Sequence, residues 1–207
     1  MSIVLVGSTS GSCTLQEQAV AGTTTLTLPT TSGTLITTAS SGQSIPRAAL
    51  PTGSVLQVKQ YQLTSTASTS TNSMTDTGIS VTITPTSNTS QFLLVFSGFL
   101  GVSTASTTAA FNFVKNGTAI GRSTAASGAG VNFGIATGGF NTSHGTNVTM
   151  QYLDSPATAS AITYKIQWMA QSGQTFYLNY SPASYNANGD TYAGSFTSAL
   201  TVYEVAA

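Results

Sequence analysis

Ile162-Thr163-Tyr164-Lys165-Ile166-Gln167-Trp168 is the stretch of sequence that decides the fold. Large apolar side chains occupy every second position, and Thr, Lys and Gln fill the positions between them. Successive side chains of a β-strand point to opposite faces, so this pattern predicts a strand with one face on a core and one toward solvent.

Similar short stretches recur from residue 54 to the end of the chain. Their alternating apolar residues are Ile79, Val81 and Ile83; Phe111 and Phe113; Val131, Phe133 and Ile135; Val148, Met150 and Tyr152; and Phe176, Leu178 and Tyr180. Asn116-Gly117 predicts a hairpin turn, because both central residues of such a turn need a positive φ. Ser172-Gly173 predicts another turn. Together with a closing strand at 200–205, these signals predict an antiparallel β-sandwich or jelly roll over residues 54–207.

The stretch from Gln91 to Leu100 differs because it is apolar at nearly every position. A half-exposed strand would alternate, so this stretch predicts a strand that is covered on both faces. Its densest apolar run is Phe92-Leu93-Leu94-Val95-Phe96, which is far too short to cross a membrane.

The composition is unusually poor in charge. The 207 residues include five Lys and Arg, five Asp and Glu and one His, and the formal net charge is zero. Nucleic-acid binding depends on clustered cations, so we expect no nucleic-acid partner. The five cations are scattered along the chain at Arg47, Lys59, Lys115, Arg122 and Lys165. Uncharged proteins tend to associate, and few titratable groups are present for catalysis, which favours an oligomeric structural protein over an enzyme.

Residues 1–53 have a different character from the rest of the chain. Small apolar patches are separated by Gly, Thr and Pro, and such a segment cannot bury a core of its own. We predict an extended N-terminal arm, with a linker at 39–53, that is ordered by contact with a partner. The predicted docking residues of this arm are Leu15, Val20, Leu26, Leu28 and Leu35.

The start of the chain carries no recognisable targeting signal. Residues 1–7 have no cationic stretch, and their apolar run is too short for a signal peptide. Cys13 is the single cysteine, so an internal disulfide is excluded. We therefore expect a protein that is made and assembled in a cytoplasm without insertion into a membrane.

Two parts of the chain resemble proteins of tailed bacteriophages. Residues 14–35, with the core Ala21-Gly22-Thr23-Thr24-Thr25-Leu26-Thr27-Leu28-Pro29, resemble a segment near the N-termini of phage fibre and other virion proteins. Residues 77–85, 162–168 and 198–205 are similar to the strands of phage fibre-tip domains, which in turn are similar to the trimeric jelly rolls of the C1q and tumour-necrosis-factor type. The resemblance implies a homotrimer on the virion surface whose arm docks on the major capsid protein or on a tail or baseplate component.

Few residues have the chemistry of a catalytic or metal site. His144 lies in a predicted loop without a nucleophile or zinc motif around it. Residues 186–190 superficially resemble a calcium loop, but one Asp supplies too few carboxylates. Asp154 and Asp190 are candidates for the acid–base pair of a polysaccharide-degrading enzyme, although their surroundings do not match such a motif. We predict no catalytic residue, no metal and no cofactor.

The most aromatic and amide-rich stretch spans residues 177–192. Exposed Tyr beside Asn and Asp suits recognition of a sugar or a protein, because the rings supply flat apolar area and the amides supply hydrogen bonds. Alternatively, Tyr177 and Tyr180 are strand residues at a subunit interface. The candidate receptor contacts are Tyr180, Tyr185, Asn186, Asn188, Asp190 and Tyr192.

Two structural roles agree with these patterns. The modest length and the lack of a long repetitive shaft favour a trimeric capsid decoration protein, such as a cement protein or head fibre, that stabilises the capsid surface. The alternative is a short tail fibre that recognises a host surface glycan or protein. A polysaccharide-degrading phage spike is the enzymatic alternative.

Overall fold

The structure is a computed structural model, and it describes residues 2–6, 12–16, 50–102, 108–124, 134–138, 145–171, 173–181 and 196–207. Every regular element in these ranges is a β-strand, so the prediction of an all-β protein is confirmed for them. The same ranges contain no helix with the length and apolarity needed to span a membrane. The chain divides into two compact units, Met1–Ile45 and Pro46–Ala207.

The first unit contains two paired strands. Strand β1 (Ser2–Val6) and strand β2 (Ser12–Gln16) are antiparallel, with Val4 opposite Thr14. A two-stranded hairpin alone is marginally stable in water, so this pair needs further contacts to persist.

The second unit contains two antiparallel sheets. Sheet 1 consists of β3 (Val55–Leu63), β4 (Ala67–Thr69), β6 (Gln91–Val102), β10 (Thr146–Asp154), β12 (Phe176–Leu178) and β13 (Ser198–Val205). Sheet 2 consists of β5 (Thr75–Ile83), β7 (Thr108–Lys115), β8 (Thr118–Ile120), β9 (Ile135–Gly138) and β11 (Ile162–Ala170).

Each sheet is four strand rows wide. In sheet 1, β12 continues the row of β13 beside β6, and β4 continues the row of β3; in sheet 2, β8 and β9 share the row beside β7. Strands that share a row are counted as one, and the eight rows are numbered along the chain. Sheet 1 then has the order 1-8-3-6, for the rows of β3, β13, β6 and β10, and sheet 2 has the order 2-7-4-5, for the rows of β5, β11, β7 and β8. This order is that of a jelly-roll-like sandwich, so the predicted fold class of the domain is confirmed.

The inner faces of the two sheets form one core. Residues 162–168 of β11 place Tyr164 and Trp168 inside it, as the alternation predicts. The ring of Phe92 lies 6.0 Å from the ring of Tyr164, and the ring of Phe96 lies 5.9 Å from that of Phe111, so both pairs join sheet 1 to sheet 2. Each such side chain contributes about 1.5 to 3 kcal/mol when it is fully buried, so these contacts hold the sheets together.

The predicted hairpin turn joins β7 to β8. Asn116 has a φ of 47° and Gly117 a φ of 87°, as the turn requires. The backbone N–H of Asn116 donates to the carbonyl of Thr163 at 3.0 Å, and the side-chain oxygen of Asn116 accepts from the N–H of Thr163 at 2.9 Å. Asn at this position therefore fixes both the turn and the neighbouring strand β11.

The start of the sandwich is bonded to the end of the chain. The N–H of Gly53 donates to the carbonyl of Ala206 at 2.8 Å, and the N–H of Ala206 donates to the carbonyl of Ser54 at 2.9 Å. These bonds fix the point at which the chain enters sheet 1.

Several features predicted from the sequence lie outside the described residues. They are Val131, Phe133, His144, Ser172, the linker residues 39–49 and the candidate calcium loop at 186–190.

Candidate functional site

Strand β6 has apolar side chains on both of its faces, and in the described part of the chain only one face is fully covered. Phe92, Leu94 and Phe96 are fully buried against sheet 2. Leu93 and Val95 point away from sheet 2 and are half-buried. Among the described residues, the inner face of this strand is fully covered and the outer face is covered only in part.

An apolar row crosses the outer side of sheet 1 from edge to edge. Tyr203 on β13 lies opposite Val58 on β3 and opposite Leu93 on β6, and Leu93 lies opposite Leu153 on β10. Val58 is 49% exposed and Leu153 is 50% exposed, at the two edges of the sheet. We call these four residues the apolar row.

A second row of uncharged side chains lies beside the apolar row. Thr201 is opposite Gln60 and Val95, and Val95 is opposite Gln151. The side-chain amide of Gln60 donates to the hydroxyl of Thr201 at 2.8 Å. We call these four residues the amide row, and the two rows together are the centre of the outer face of sheet 1.

No charged side chain lies on this outer face in the described parts of β3, β6, β10 and β13. Lys59 belongs to β3, but it is opposite Val202, whose side chain points to the core. A partner that covers the outer face therefore displaces water from apolar groups and amides without removing an ion from water. Contiguous apolar side chains that stay partly exposed are one feature of interaction surfaces.

The outer face of sheet 2 has the opposite character. The Lys165 amine lies 2.7 Å from one oxygen of Asp76, and the side-chain amide of Gln167 donates to the other oxygen at 2.8 Å. These hydrogen bonds hold the pKa of Asp76 below its ordinary value. Thr82 and Thr163 share a hydrogen bond of 2.9 Å on the same face. This face is polar and ionic, as expected for a surface in contact with water.

A polar cluster connects the two sheets beside the core. The buried Asp154 on β10 accepts from the Lys115 amine at 2.9 Å and from the Tyr164 hydroxyl at 2.7 Å. Burial, together with the Asp154 carboxylate, raises the pKa of Tyr164 above its ordinary range. The sequence presents Asp154 as a candidate acid, but here it ties strand β10 to β7 and β11.

A second polar cluster surrounds the fully buried Glu204 on β13. One carboxylate oxygen accepts from the N–H and hydroxyl of Thr86 at 2.7 and 2.6 Å and from the Ser90 hydroxyl at 2.5 Å. The other accepts from the side-chain amide of Gln57 at 2.5 Å. Burial acts to raise the pKa of Glu204, but the hydrogen bonds from Ser90, Thr86 and Gln57 outweigh it and lower the pKa. Glu204 thus joins β3, β13 and the segment that leads into β6.

The described acidic side chains, Asp76, Asp154 and Glu204, all accept hydrogen bonds from other side chains of the sandwich. The described residues contain no group of three or more His, Cys, Asp and Glu side chains that could bind a metal ion. A cavity of about 190 Å³ between β9 and β10 is lined by residues without a titratable side chain, among them Phe113 and Met150.

The predicted docking residues of the arm fall mostly outside the described part of the chain. Leu15 lies in β2, opposite Ile3. The other four residues, Val20, Leu26, Leu28 and Leu35, lie outside the described residues.

The predicted receptor contacts are described at one position only. Tyr180 is half-buried, and its ring meets the ring of Tyr177 edge-on, with the ring centres 5.5 Å apart. The remaining five lie outside the described residues: Tyr185, Asn186, Asn188, Asp190 and Tyr192.

The sequence alone did not predict the continuous uncharged outer face of sheet 1. One sign of this face was present in the stretch 91–100, where apolar residues occupy the positions that point to both faces of the strand. The four strands of the face come from distant parts of the chain, so the sequence alone could not show that Val58 and Leu153 end the same row.

The chain matches no protein-family model, and no curated protein matches its sequence.

Proposed function

We propose that this chain is a structural subunit of a tailed-phage virion, a homotrimeric capsid decoration protein that stabilises the capsid surface. In this role the first unit docks on the major capsid protein, and three copies of the jelly-roll unit associate on the outside of the particle. The resemblance of residues 14–35 to the N-terminal segments of virion proteins supports the viral assignment.

The observation that carries the proposal is the uncharged, half-exposed outer face of sheet 1. Apolar side chains that a folded chain leaves half-exposed in one continuous row stabilise an assembly when other chains cover them. The zero net charge of the chain supports the same conclusion, because identical copies do not repel one another.

The described acidic residues, Asp76, Asp154 and Glu204, support a structural role over a catalytic one. A glycosidase needs two carboxyl groups that face one sugar across a groove. Asp154 and Glu204 are each enclosed by hydrogen-bond donors from the fold, and Asp76 is paired with Lys165 on the outer face of sheet 2. We therefore propose a protein without hydrolytic activity.

The count of copies in purified particles tests the proposed role. Quantitative mass spectrometry of virions should give hundreds of copies of this chain, because a decoration protein follows the repeated symmetry of the capsid. A count of about a dozen would instead agree with an appendage on the tail axis. That result would reject the decoration role.

The tail-fibre alternative has one observation in its favour. Tyr177 and Tyr180 form an edge-on ring pair at the end of sheet 1, next to the segment in which the other candidate receptor contacts occur in sequence. Aromatic side chains of this kind bind sugars and proteins through flat apolar contact. A low copy number together with binding to host cells would support this alternative.

We predict that removal of residues 1–45 separates attachment from folding. The jelly-roll unit holds its own core, so the truncated protein should remain folded and trimeric but should no longer bind particles. Co-sedimentation with particles stripped of the protein measures the attachment, and the full-length chain is the control. Undiminished binding of the truncated protein would show that the first unit is not the anchor.

A further inference from the structure

The two sheets leave a cavity between them at one side of the sandwich. In sheet 2, Ile120 is the last residue of β8 and lies opposite Phe113 of β7. Ile135 is the first residue of β9 and lies opposite Phe111 of the same strand. The row of β8 and β9 is therefore interrupted beside Asn112. The cavity of about 190 Å³ lies at this interruption and extends to β10 of sheet 1.

The lining of this cavity is uncharged and has an apolar part. Phe113, Ile135 and Met150 supply large apolar side chains, and Gly121 and Gly134 supply backbone without side chains. An apolar cavity of about 150 Å³ inside a protein admits a molecule the size of benzene. This cavity therefore has room for one small ring.

A groove of about 690 Å³ adjoins the cavity and is lined by residues 119–124 and by Tyr152 of β10. Gly121 borders both the cavity and the groove, so the two are continuous. Gly121 has a φ of 62°, and a Cβ at this position would lie 2.9 Å from the ring of Tyr152. Position 121 therefore requires glycine, whose backbone packs on the Tyr152 ring where the cavity meets the groove.

Arg122 gives the groove a positive charge. Its side chain is exposed, and the described lining of the groove contains no acidic residue. The described carboxylates are engaged elsewhere, since Asp76 and Asp154 are paired with lysines and Glu204 accepts from uncharged donors. The guanidinium of Arg122 is thus available to an anion from outside the chain.

We propose that the cavity and the groove together bind a small organic carboxylate whose apolar body has the size of one aromatic ring. The apolar body occupies the cavity beside Phe113 and Met150. The carboxylate lies in the groove and accepts hydrogen bonds from the guanidinium of Arg122, whose planar fork matches a carboxylate. An apolar enclosure with a few polar groups that fix orientation is the usual design of a small-molecule site.

Other classes of ligand use less of this surface. An inorganic anion would contact Arg122 alone, and an exposed ion pair of that kind contributes little. A neutral apolar molecule would fill the cavity and leave the guanidinium without a partner. A cation would be repelled by Arg122. The carboxylate with an apolar body is the class that uses both the cavity and the charge.

Calorimetric titration of the full-length protein with 3-phenylpropionate tests the site. Binding should saturate at one ligand per chain. Propionate lacks the ring, and 3-phenylpropanol lacks the charge. Each should bind at least about tenfold more weakly, because each loses one of the two contacts.

Two variants separate the charge from the cavity. Arg122→Gln should weaken the binding of 3-phenylpropionate by about tenfold or more and leave the binding of 3-phenylpropanol unchanged. Lys59→Gln is the matched control, because it removes an exposed cation from β3, outside the groove. Ile135→Trp fills the cavity from a half-buried position and should abolish the binding of both compounds. Circular dichroism shows whether each variant stays folded. Arg122 is exposed, so Arg122→Gln remains decisive even if Ile135→Trp does not fold.

Nuclear magnetic resonance of methionine methyl groups locates the bound molecule. Met150 lines the cavity, whereas Met169 of β11 pairs with Ala110 and does not line it. With 3-phenylpropionate the methyl signal of Met150, identified by its loss in Met150→Leu, should shift, and that of Met169 should stay in place.

The results judge the site independently of the virion role and of the trimer. Saturable binding that shifts the Met150 signal and weakens in Arg122→Gln supports the site. The absence of saturable binding overturns it, and so does an equal affinity of Arg122→Gln and the unmodified chain. A shift of the Met169 signal without a shift of the Met150 signal also overturns it, because the ligand then binds elsewhere.

Discussion

Leu93→Asp is expected to convert the proposed trimer into folded monomers. Leu93 lies in the middle of the apolar row, and its side chain faces away from the core, so the variant chain should keep its fold. In the assembly the new carboxylate would be buried among apolar groups, which costs several kcal/mol per chain even after relaxation. We expect the dissociation constant of the trimer to rise at least about a thousandfold, which corresponds to about 4 kcal/mol.

Sedimentation velocity at micromolar concentration measures this effect, and circular dichroism shows whether the chain stays folded. Thr82→Asp is the matched control, because it places the same charge on the outer face of sheet 2 and should leave the trimer intact. Leu153→Lys is a second variant at a half-exposed edge position, where a folding defect is not expected. Trimers that persist in both Leu93→Asp and Leu153→Lys would show that the outer face of sheet 1 is not the interface.

The strands with one covered face could be predicted from the sequence. In β5, β10 and β11 the inner positions carry mostly apolar residues and the outer positions carry mostly polar ones, so alternation alone locates each strand. The hairpin at Asn116-Gly117 was equally clear, because few dipeptides accept two positive φ angles. Local signals were sufficient wherever burial follows the alternation.

Strand β3 could not be predicted in the same way. It lies at the edge of sheet 1, and most of its side chains are exposed on both sides, so burial imposes little alternation. Its partner β13 lies at the other end of the domain sequence, with Leu63 opposite Ser198. The position of β3 depends on its pairing with a distant strand, and the residues next to β3 in the sequence give no sign of that pairing.

The roles of the acidic residues also depend on distant parts of the chain. Ser90 donates to Glu204 across a separation of 114 residues, and Lys115 meets Asp154 across 39. The sequence shows only isolated carboxylates, which agree with a catalytic role as well as with a structural role. The outer face of sheet 1 was hidden for the same reason, since its four strands adjoin only after folding.

Glu204→Gln is expected to destabilise the jelly-roll unit by about 2 to 4 kcal/mol at neutral pH. The carboxylate of Glu204 accepts hydrogen bonds at both oxygens, and a Gln side chain would present an N–H to donors that surround one of them. A buried donor would then face a donor from Gln57 or from Thr86 and Ser90. For a domain of this size the expected loss lowers the melting temperature by about 5 to 15 °C.

Asp76→Asn is the matched control for the loss of one carboxylate. The ion pair of Asp76 with Lys165 lies on the surface, where such pairs contribute about 0 to 1 kcal/mol, so the melting temperature should change little. Both variants are compared with the unmodified chain at one protein concentration, because association also shifts the melting temperature. An equal, small effect of the two substitutions would show that the network around Glu204 does not hold the fold.

The pH dependence provides a second readout for Glu204. Its pKa in the folded chain is lowered, so the unfolded chain binds a proton first as the pH falls. The stabilisation from Glu204 is therefore fully present above the unfolded value of about 4.3 and is lost as the pH falls through the folded value. Thermal melts between neutral pH and acid should show that the melting temperatures of the unmodified chain and of Glu204→Gln converge below the pKa of Glu204 in the folded chain. A constant gap between the two melting curves would contradict a lowered pKa at Glu204, because Gln at this position cannot titrate.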